Sequence, residues 1–189
     1  MKTDGRAITK MMKQVQALAK NIDSFIGTAN AMMSEAGWTP ITSTCTATSR
    51  TPGNHDWWFP LSVFQFYAHK APAHASLLPY CATVLLPRSG TLEEPMATSG
   101  CINYGAGKSV GKNYYSDWAE VHLWTPNPAL DGKKRTTLRK DINPKPSIPF
   151  LAVTSLAVPM VSITDPDGIK DSLIDPTLHM VQQFLEGNH

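Results

Sequence analysis

Apolar positions in the first part of the chain recur every three or four residues without a break. Ile8, Met11, Val15, Leu18, Ile22, Phe25, Ala29, Met32 and Ala36 trace one line, and Met12, Ala19, Ile26 and Met33 repeat every seven residues beside it. This spacing predicts one long amphipathic helix over 4–36, with a broad stripe of about four heptads. Gly27 weakens its interior, since a helical glycine costs about 1 kcal/mol relative to alanine. Gly37 is placed to end it in the left-handed conformation that glycine tolerates. At the α-helical rise the helix is roughly 45 Å long, against ~17–20 Å for a typical strand. One half is therefore expected to pack on a sheet while the other overhangs and needs a second partner.

The same spacing permits a coiled coil, but the edges of the stripe argue against a simple two-stranded one. The flanking positions are Gln14, Asn21 and Thr28 on one side and apolar residues on the other. The charged pairs that set two-stranded partnering are missing. A stripe of this width suits a helix buried in a globular core or a bundle. Its four methionines, Met11, Met12, Met32 and Met33, also make an adaptable contact surface.

Beyond Trp38 the period changes to two. Ile41, Ser43, Cys45 and Ala47 alternate with Thr42, Thr44, Thr46 and Thr48, which reads as a threonine-rich strand with one wet face. Thr51-Pro52-Gly53-Asn54 is a turn signal. Leu61–Ala68 and Tyr80–Leu86 read as strands, with a loop over Ala71–Ser76 between them. A short piece around Cys101–Tyr104 precedes a glycine-rich loop. Tyr115–Trp124 is a well-alternating strand, with Ala119, Val121 and Leu123 facing one way and Trp118, Glu120, His122 and Trp124 the other.

Thr125–Ser147 holds five prolines or glycines and few large apolar residues, and reads as a long loop. Ile148–Ile163 is a buried strand or strand pair broken at Pro159. It is too short, and too rich in proline and hydroxyls, for a bilayer span. Asp165-Pro166-Asp167-Gly168 opens the final helical region. Asp175-Pro176 looks like a second N-cap, with Leu178, Val181 and Leu185 facing inward and Gly187 closing. The order is long helix, run of strands, C-terminal helix. That predicts an α+β fold on a mainly antiparallel sheet, with the two helices covering one of its faces. The whole of 1–189 is expected to form one unit: helix 4–36, sheet region 38–124, basic proline-rich loop 125–147, and strand plus helix 148–189.

Composition narrows the setting. Three cysteines, Cys45, Cys81 and Cys101, with no CxxC spacing, give neither a disulfide framework nor a zinc site, and a reduced, cytoplasmic chain is the simpler expectation. The formal charge of +2 is too small to imply a polyanionic partner by itself.

Several clusters carry candidate chemistry. Gly105-Ala106-Gly107-Lys108-Ser109-Val110-Gly111-Lys112 resembles a phosphate-cradling loop only superficially. In one register Ile102 stands where the first glycine belongs, in the other Asn113 replaces the hydroxyl, and strand rather than helix follows. Lys108 and Lys112 remain candidate anion contacts. Trp118, Glu120, His122 and Trp124 share one strand face, so that a carboxylate and an imidazole lie side by side between two indoles. A binding platform explains them better than acid–base catalysis. Asn54-His55-Asp56-Trp57-Trp58 is a second dense cluster, with His55 and Trp57 as candidate contacts. Adjacent His and Asp side chains rarely converge on one ion, so no metal is expected. Lys133, Lys134, Arg135, Arg139, Lys140 and Lys145 form a basic patch opposed by Asp131 and Asp141, suited to an anionic ligand or a nucleic-acid backbone.

No convergent catalytic set, cofactor motif or repeat emerges. The leading expectation is a non-catalytic binding or assembly protein acting through self-association or a dedicated protein partner. A nucleic-acid or anionic-ligand binder using 133–145 stands second, and an enzyme using Glu120 and His122 third. No cofactor and no membrane association are expected.

Overall fold

A computed structural model describes residues 4–41, 45–48, 60–85, 94–108, 110, 135–138 and 150–187. The long helix forms as its periodicity predicts. Helix α1 spans Gly5–Glu35, and the Asp4 carboxylate caps it by accepting from the Arg6 amide at 3.0 Å. Gly27 sits within it with nothing near the place a side chain would occupy. Gly37, at φ 86°, takes the left-handed conformation just past its end.

Among the described residues seven strands follow: β1 (Trp38–Pro40), β2 (Cys45–Thr48), β3 (Pro60–His69), β4 (Leu77–Val84), β5 (Met96–Asn103), β6 (Arg135–Leu138) and β7 (Ala152–Pro159); the strand expected over 115–124 lies outside the described residues. They pair antiparallel throughout, in the order β1-β3-β4-β5-β7-β6. β2 also pairs β3, beside β1 on the same flank. β1 and β2 are thus successive pieces of one edge, and the Ile41 amide between them donates to the Phe66 carbonyl at 3.0 Å. The fold is α+β, as the order of elements implied.

The chain ends in one nearly continuous helical run: α2 (Pro166–Ile169), a π-helical turn (Lys170–Ile174) and α3 (Asp175–Leu185). Asp165 caps it as expected, its carboxylate accepting from the Gly168 amide at 2.7 Å. Asp175-Pro176 does not start a separate helix. Pro176 lacks an amide and its ring crowds the carbonyl one turn back. The turn that widens just before it lets the run continue through the proline. The inward stripe is rotated accordingly: Thr177, Met180 and Val181 are buried, Leu178 is half-buried and Leu185 is exposed.

Three further expectations need correction. The short strand at Cys101–Tyr104 is the end of a longer one, β5, which starts at Met96 and stops at Asn103. Every residue of β5 is buried, so the polar–apolar alternation that marks a half-wet strand is absent. Ala71–Ser76 is not all loop but contains a 3-10 turn at Pro72–His74. The stretch 125–147 is not unbroken loop either, because Arg135–Leu138 forms β6 against β7. Four residues of mixed polarity are too few to show a period.

The two helices share one face of the sheet. α1 lies over β1, β3 and β4, and α3 over β4 and β5. Ile22, Phe25, Ile26, Ala29 and Met33 of α1 meet Tyr67, Leu77, Cys81, Ala97 and Cys101 of the sheet, together with Leu173, Ile174 and Val181. Each fully buried large side chain contributes about 1.5–3 kcal/mol. Two polar contacts fix where the helices sit. The Tyr67 hydroxyl donates to Asn30 Oδ1 on α1 at 3.0 Å, and the Ser99 hydroxyl donates to the Leu173 carbonyl in the π turn at 3.1 Å. The opposite face is closed too, with Phe66, Leu78, Tyr80, Ile102 and Val153 fully buried.

Gly100 is the tightest point of the sheet. A Cβ there would stand 2.1 Å from the Thr154 carbonyl oxygen and 2.9 Å from the Tyr80 hydroxyl. Only a bare backbone lets β7 and the Tyr80 ring approach so closely. Gly100→Ala is expected to destabilise the fold by about 1–3 kcal/mol, the usual cost of overpacking. Chemical denaturation measures this; an unchanged midpoint would contradict the packing described.

Candidate docking surface

The buried and exposed parts of α1 divide sharply. All five of its buried side chains lie in Ile22–Met33. Before Ile22 the stripe continues on the same side of the helix, but none of its residues there is buried. Ile8 is 45% exposed, Met11 54% and Met12 56%, while Val15 and Leu18 are half-buried. The expected overhang is therefore present, and it is the amino-terminal half that projects. An isolated helix of this size is marginal in water. Here the packed half supplies the nucleus, and the exposed half propagates from it.

The exposed half sorts its residues by face. At 3.6 residues per turn, Arg6, Lys10, Lys13 and Lys20 fall opposite the stripe, and all four are exposed. Gln14 and Gln16 flank the stripe. From Ala7 to Ala19 the apolar side carries no charge.

The stripe leads into a groove. Between α1 and the Met160–Asp165 turn lies a space of about 450 Å³, lined by Leu18, Asn21 and Phe25 on one wall and Met160, Val161 and Ile163 on the other. Val161 is 73% exposed. Asp165 also lines this space, and Asp167 and Asp171 are exposed farther along the start of the C-terminal helical run. A slot with apolar walls and a charged edge suits a helix or extended segment better than a small polar substrate.

A second cluster was not legible in the sequence. His69 of β3 and His74 of the Pro72–His74 turn stack with ring centroids 4.2 Å apart, and Trp38 packs on both, at 5.2 Å and 5.4 Å. The Ala71 amide donates to His69 Nδ1 at 3.0 Å, which leaves the proton of the neutral ring on Nε2. His74 Nδ1 is shielded from water and has no hydrogen-bond partner among the described residues. Loss of hydration lowers the His74 pKa below its ordinary 6.5, and the neighbouring His69 lowers it further. Two stacked rings do not make a chelating set, and among the described residues no group of three or more His, Cys, Asp or Glu side chains can hold a metal ion.

The described start of the glycine-rich segment, Gly105–Lys108, is a turn. Gly105 and Gly107 take positive φ, the Gly105 amide is held by Asn103 Oδ1 at 2.8 Å, and the Lys108 amide bonds the Gly105 carbonyl at 3.2 Å. Two amides that an anion would need are thus already used. Lys108 is exposed beside a space of about 780 Å³ that also borders Phe184 and Leu185 at the end of α3. A helix carboxyl end carries partial negative charge, which disfavours an anion there.

The remaining sequence-derived candidates, His55, Trp57, Lys112, Trp118, Glu120, His122, Trp124, Lys133, Lys134, Arg139 and Lys140, lie outside the described residues. Arg135 opens β6. Cys81 and Cys101 are free and fully buried; burial pushes the Cys81 thiol up to about 12 and raises that of Cys101 as well, so both stay as inert thiols at neutral pH. No helix among the described residues is long and apolar enough to cross a membrane.

The histidine stack generates a pH prediction. Because the folded protein holds His74 below its unfolded pKa, the unfolded chain binds a proton first as pH falls. Stability contributed by neutral His74 is complete above pH 6.5 and is lost progressively below it, until the folded pKa is reached. The melting-temperature difference between the wild type and His74→Gln is expected to shrink as pH drops through that window. A difference constant from neutral to mildly acidic pH would refute this. No protein-family model, curated protein or solved structure matches the chain.

Proposed function

We propose that this protein is a non-catalytic assembly protein that binds another polypeptide through the uncovered amino-terminal half of α1. One observation carries the reading: an apolar stripe that runs straight from the core into solvent. Single exposed apolar residues are ordinary on protein surfaces, but Ile8, Met11 and Met12 are adjacent, on one face, and continuous with a groove. Completing their burial against a partner is worth on the order of 1 kcal/mol each, about half the value for full burial. Methionine adapts to irregular partner surfaces.

The lack of charge between Ala7 and Ala19 on this side also supports a protein partner, since no ion has to be desolvated when the face is covered. The sheet offers less, since its described central strands are buried.

The test is substitution on the stripe. Met11→Glu/Met12→Glu changes two exposed residues and is expected to leave the circular dichroism spectrum and thermal midpoint nearly unchanged. Size-exclusion chromatography with light scattering is expected to show the wild type in a complex and the variant as a monomer. A wild type that is strictly monomeric at high micromolar concentration would overturn self-association. Identical behaviour of a self-associating wild type and its variant would overturn the role of the stripe.

A further inference from the structure

The carboxyl end of α1 passes straight into β1 through Gly37. Trp38, the first residue of β1, is buried and stands opposite His69 in the β1–β3 register. Its indole packs on the His69 ring at 5.2 Å and edge-on to the His74 ring at 5.4 Å, and the two imidazoles stack at 4.2 Å. β1 is three residues long and, among the described strands, pairs with β3 alone. The ring stack therefore ties the end of α1 to the edge of the sheet. We propose that this junction is an acid-released latch, closed while His74 is neutral and opened locally when its imidazole takes a second proton, so that Trp38 and β1 come away from β3. The latch lies at the other end of α1 from the docking stripe and does not depend on the assembly reading.

The geometry gives the second proton no partner. His74 Nδ1 is shielded from water and has no hydrogen-bond partner among the described residues. An imidazolium donates from both ring nitrogens, so a charged His74 keeps one buried N–H unpaired. His69 cannot take the proton in its place without loosening the same junction. Its Nδ1 accepts from the Ala71 amide at 3.0 Å, and a proton there would set two N–H groups against each other at the residue that opens the Pro72–His74 turn.

The groups around the pair do not offset the charge. β1 brings no charged residue. β3 brings His69, with exposed Lys70 just beyond it, the turn brings His74 alone, and the end of α1 brings Glu35, which is exposed. Of these, only His69 acts on His74, and it disfavours the cation, as does loss of hydration. The carboxyl end of α1 carries partial negative charge and favours a cation. The ring atom closest to it is His69 Nε2, 3.1 Å from where a Gly37 side chain would begin. That nitrogen already holds the proton of the neutral ring, so the helix end supplies no acceptor for a second one.

The opening is local because little else rests on the stack. A three-residue strand and a single 3-10 turn depend on it, whereas β4 and β5 are paired along eight residues each. Short edge pieces open at lower cost than central strands. Opening returns His74 to its ordinary 6.5, so the open form binds protons first as pH falls. Its population then rises by up to about tenfold per pH unit below that value.

Hydrogen exchange at about pH 7.5 and about pH 5, corrected for the intrinsic pH dependence of exchange, tests the proposal. The amides of Gly37, Ile41, Ala71 and His74 are all hydrogen-bonded in the closed form. In the wild type their protection is expected to fall by roughly tenfold at the lower pH, while that of β4 and β5 holds. His74→Phe keeps an aromatic ring in the stack but cannot take a proton, and is expected to lose most of this acid response. Equal protection of the four amides at both pH values would overturn the latch. So would a loss spread evenly over β4 and β5, which would mark global unfolding, and so would an acid response in His74→Phe as large as in the wild type. Where the variant does not fold, the wild-type comparison of junction and central strands decides alone.

Discussion

A 31-residue helix cannot bury its whole apolar stripe on a sheet face that it shares with another helix. α1 crosses β1, β3 and β4; α3 occupies β4 and β5. The sheet therefore accepts Ile22–Met33, about 18 Å of helix at 1.5 Å per residue, and the rest projects. The other features follow from this length mismatch. The packed half nucleates the exposed half, and the exposed half keeps the composition of a core surface without a core beneath it.

The internal contacts make the mismatch a stable property. Tyr67 ties α1 to β3 through Asn30, and Ser99 ties the C-terminal run to β5 through the Leu173 carbonyl. Sliding α1 along its axis to bury Met11 and Met12 would break the first bond and carry Met33 off the sheet. The C-terminal run is held as well, because the π turn that precedes Pro176 accepts the Ser99 hydroxyl at the Leu173 carbonyl. With both helices tied to the sheet in this way, no described residue covers the amino-terminal half of the stripe.

Local signals were legible in the sequence and non-local ones were not. The period of the stripe, the left-handed Gly37 and the cap at Asp165 depend on a few neighbouring residues, and all appear where expected. The first half of β5 was missed because burial on both faces erases alternation. β6 was missed because Arg135–Leu138 gains its strand form from β7. The overhang could be anticipated from length alone, but which half projects depends on how far β1, β3 and β4 extend beneath α1. His69 and His74 carried no signal, since a proline-led turn brings them together across a spacing that no helix or strand would. The groove was likewise out of reach, because its walls are more than a hundred residues apart in the chain.

Hydrogen exchange along α1, followed as a function of protein concentration, tests the central claim most directly. Amides of residues 22–33 should exchange slowly at every concentration, held by the sheet. Amides of residues 8–18 should exchange fast in dilute solution and become protected as concentration rises and a second copy covers them. Fast exchange of residues 8–18 at all concentrations would contradict the account, as would equal protection of both halves in a dilute monomer.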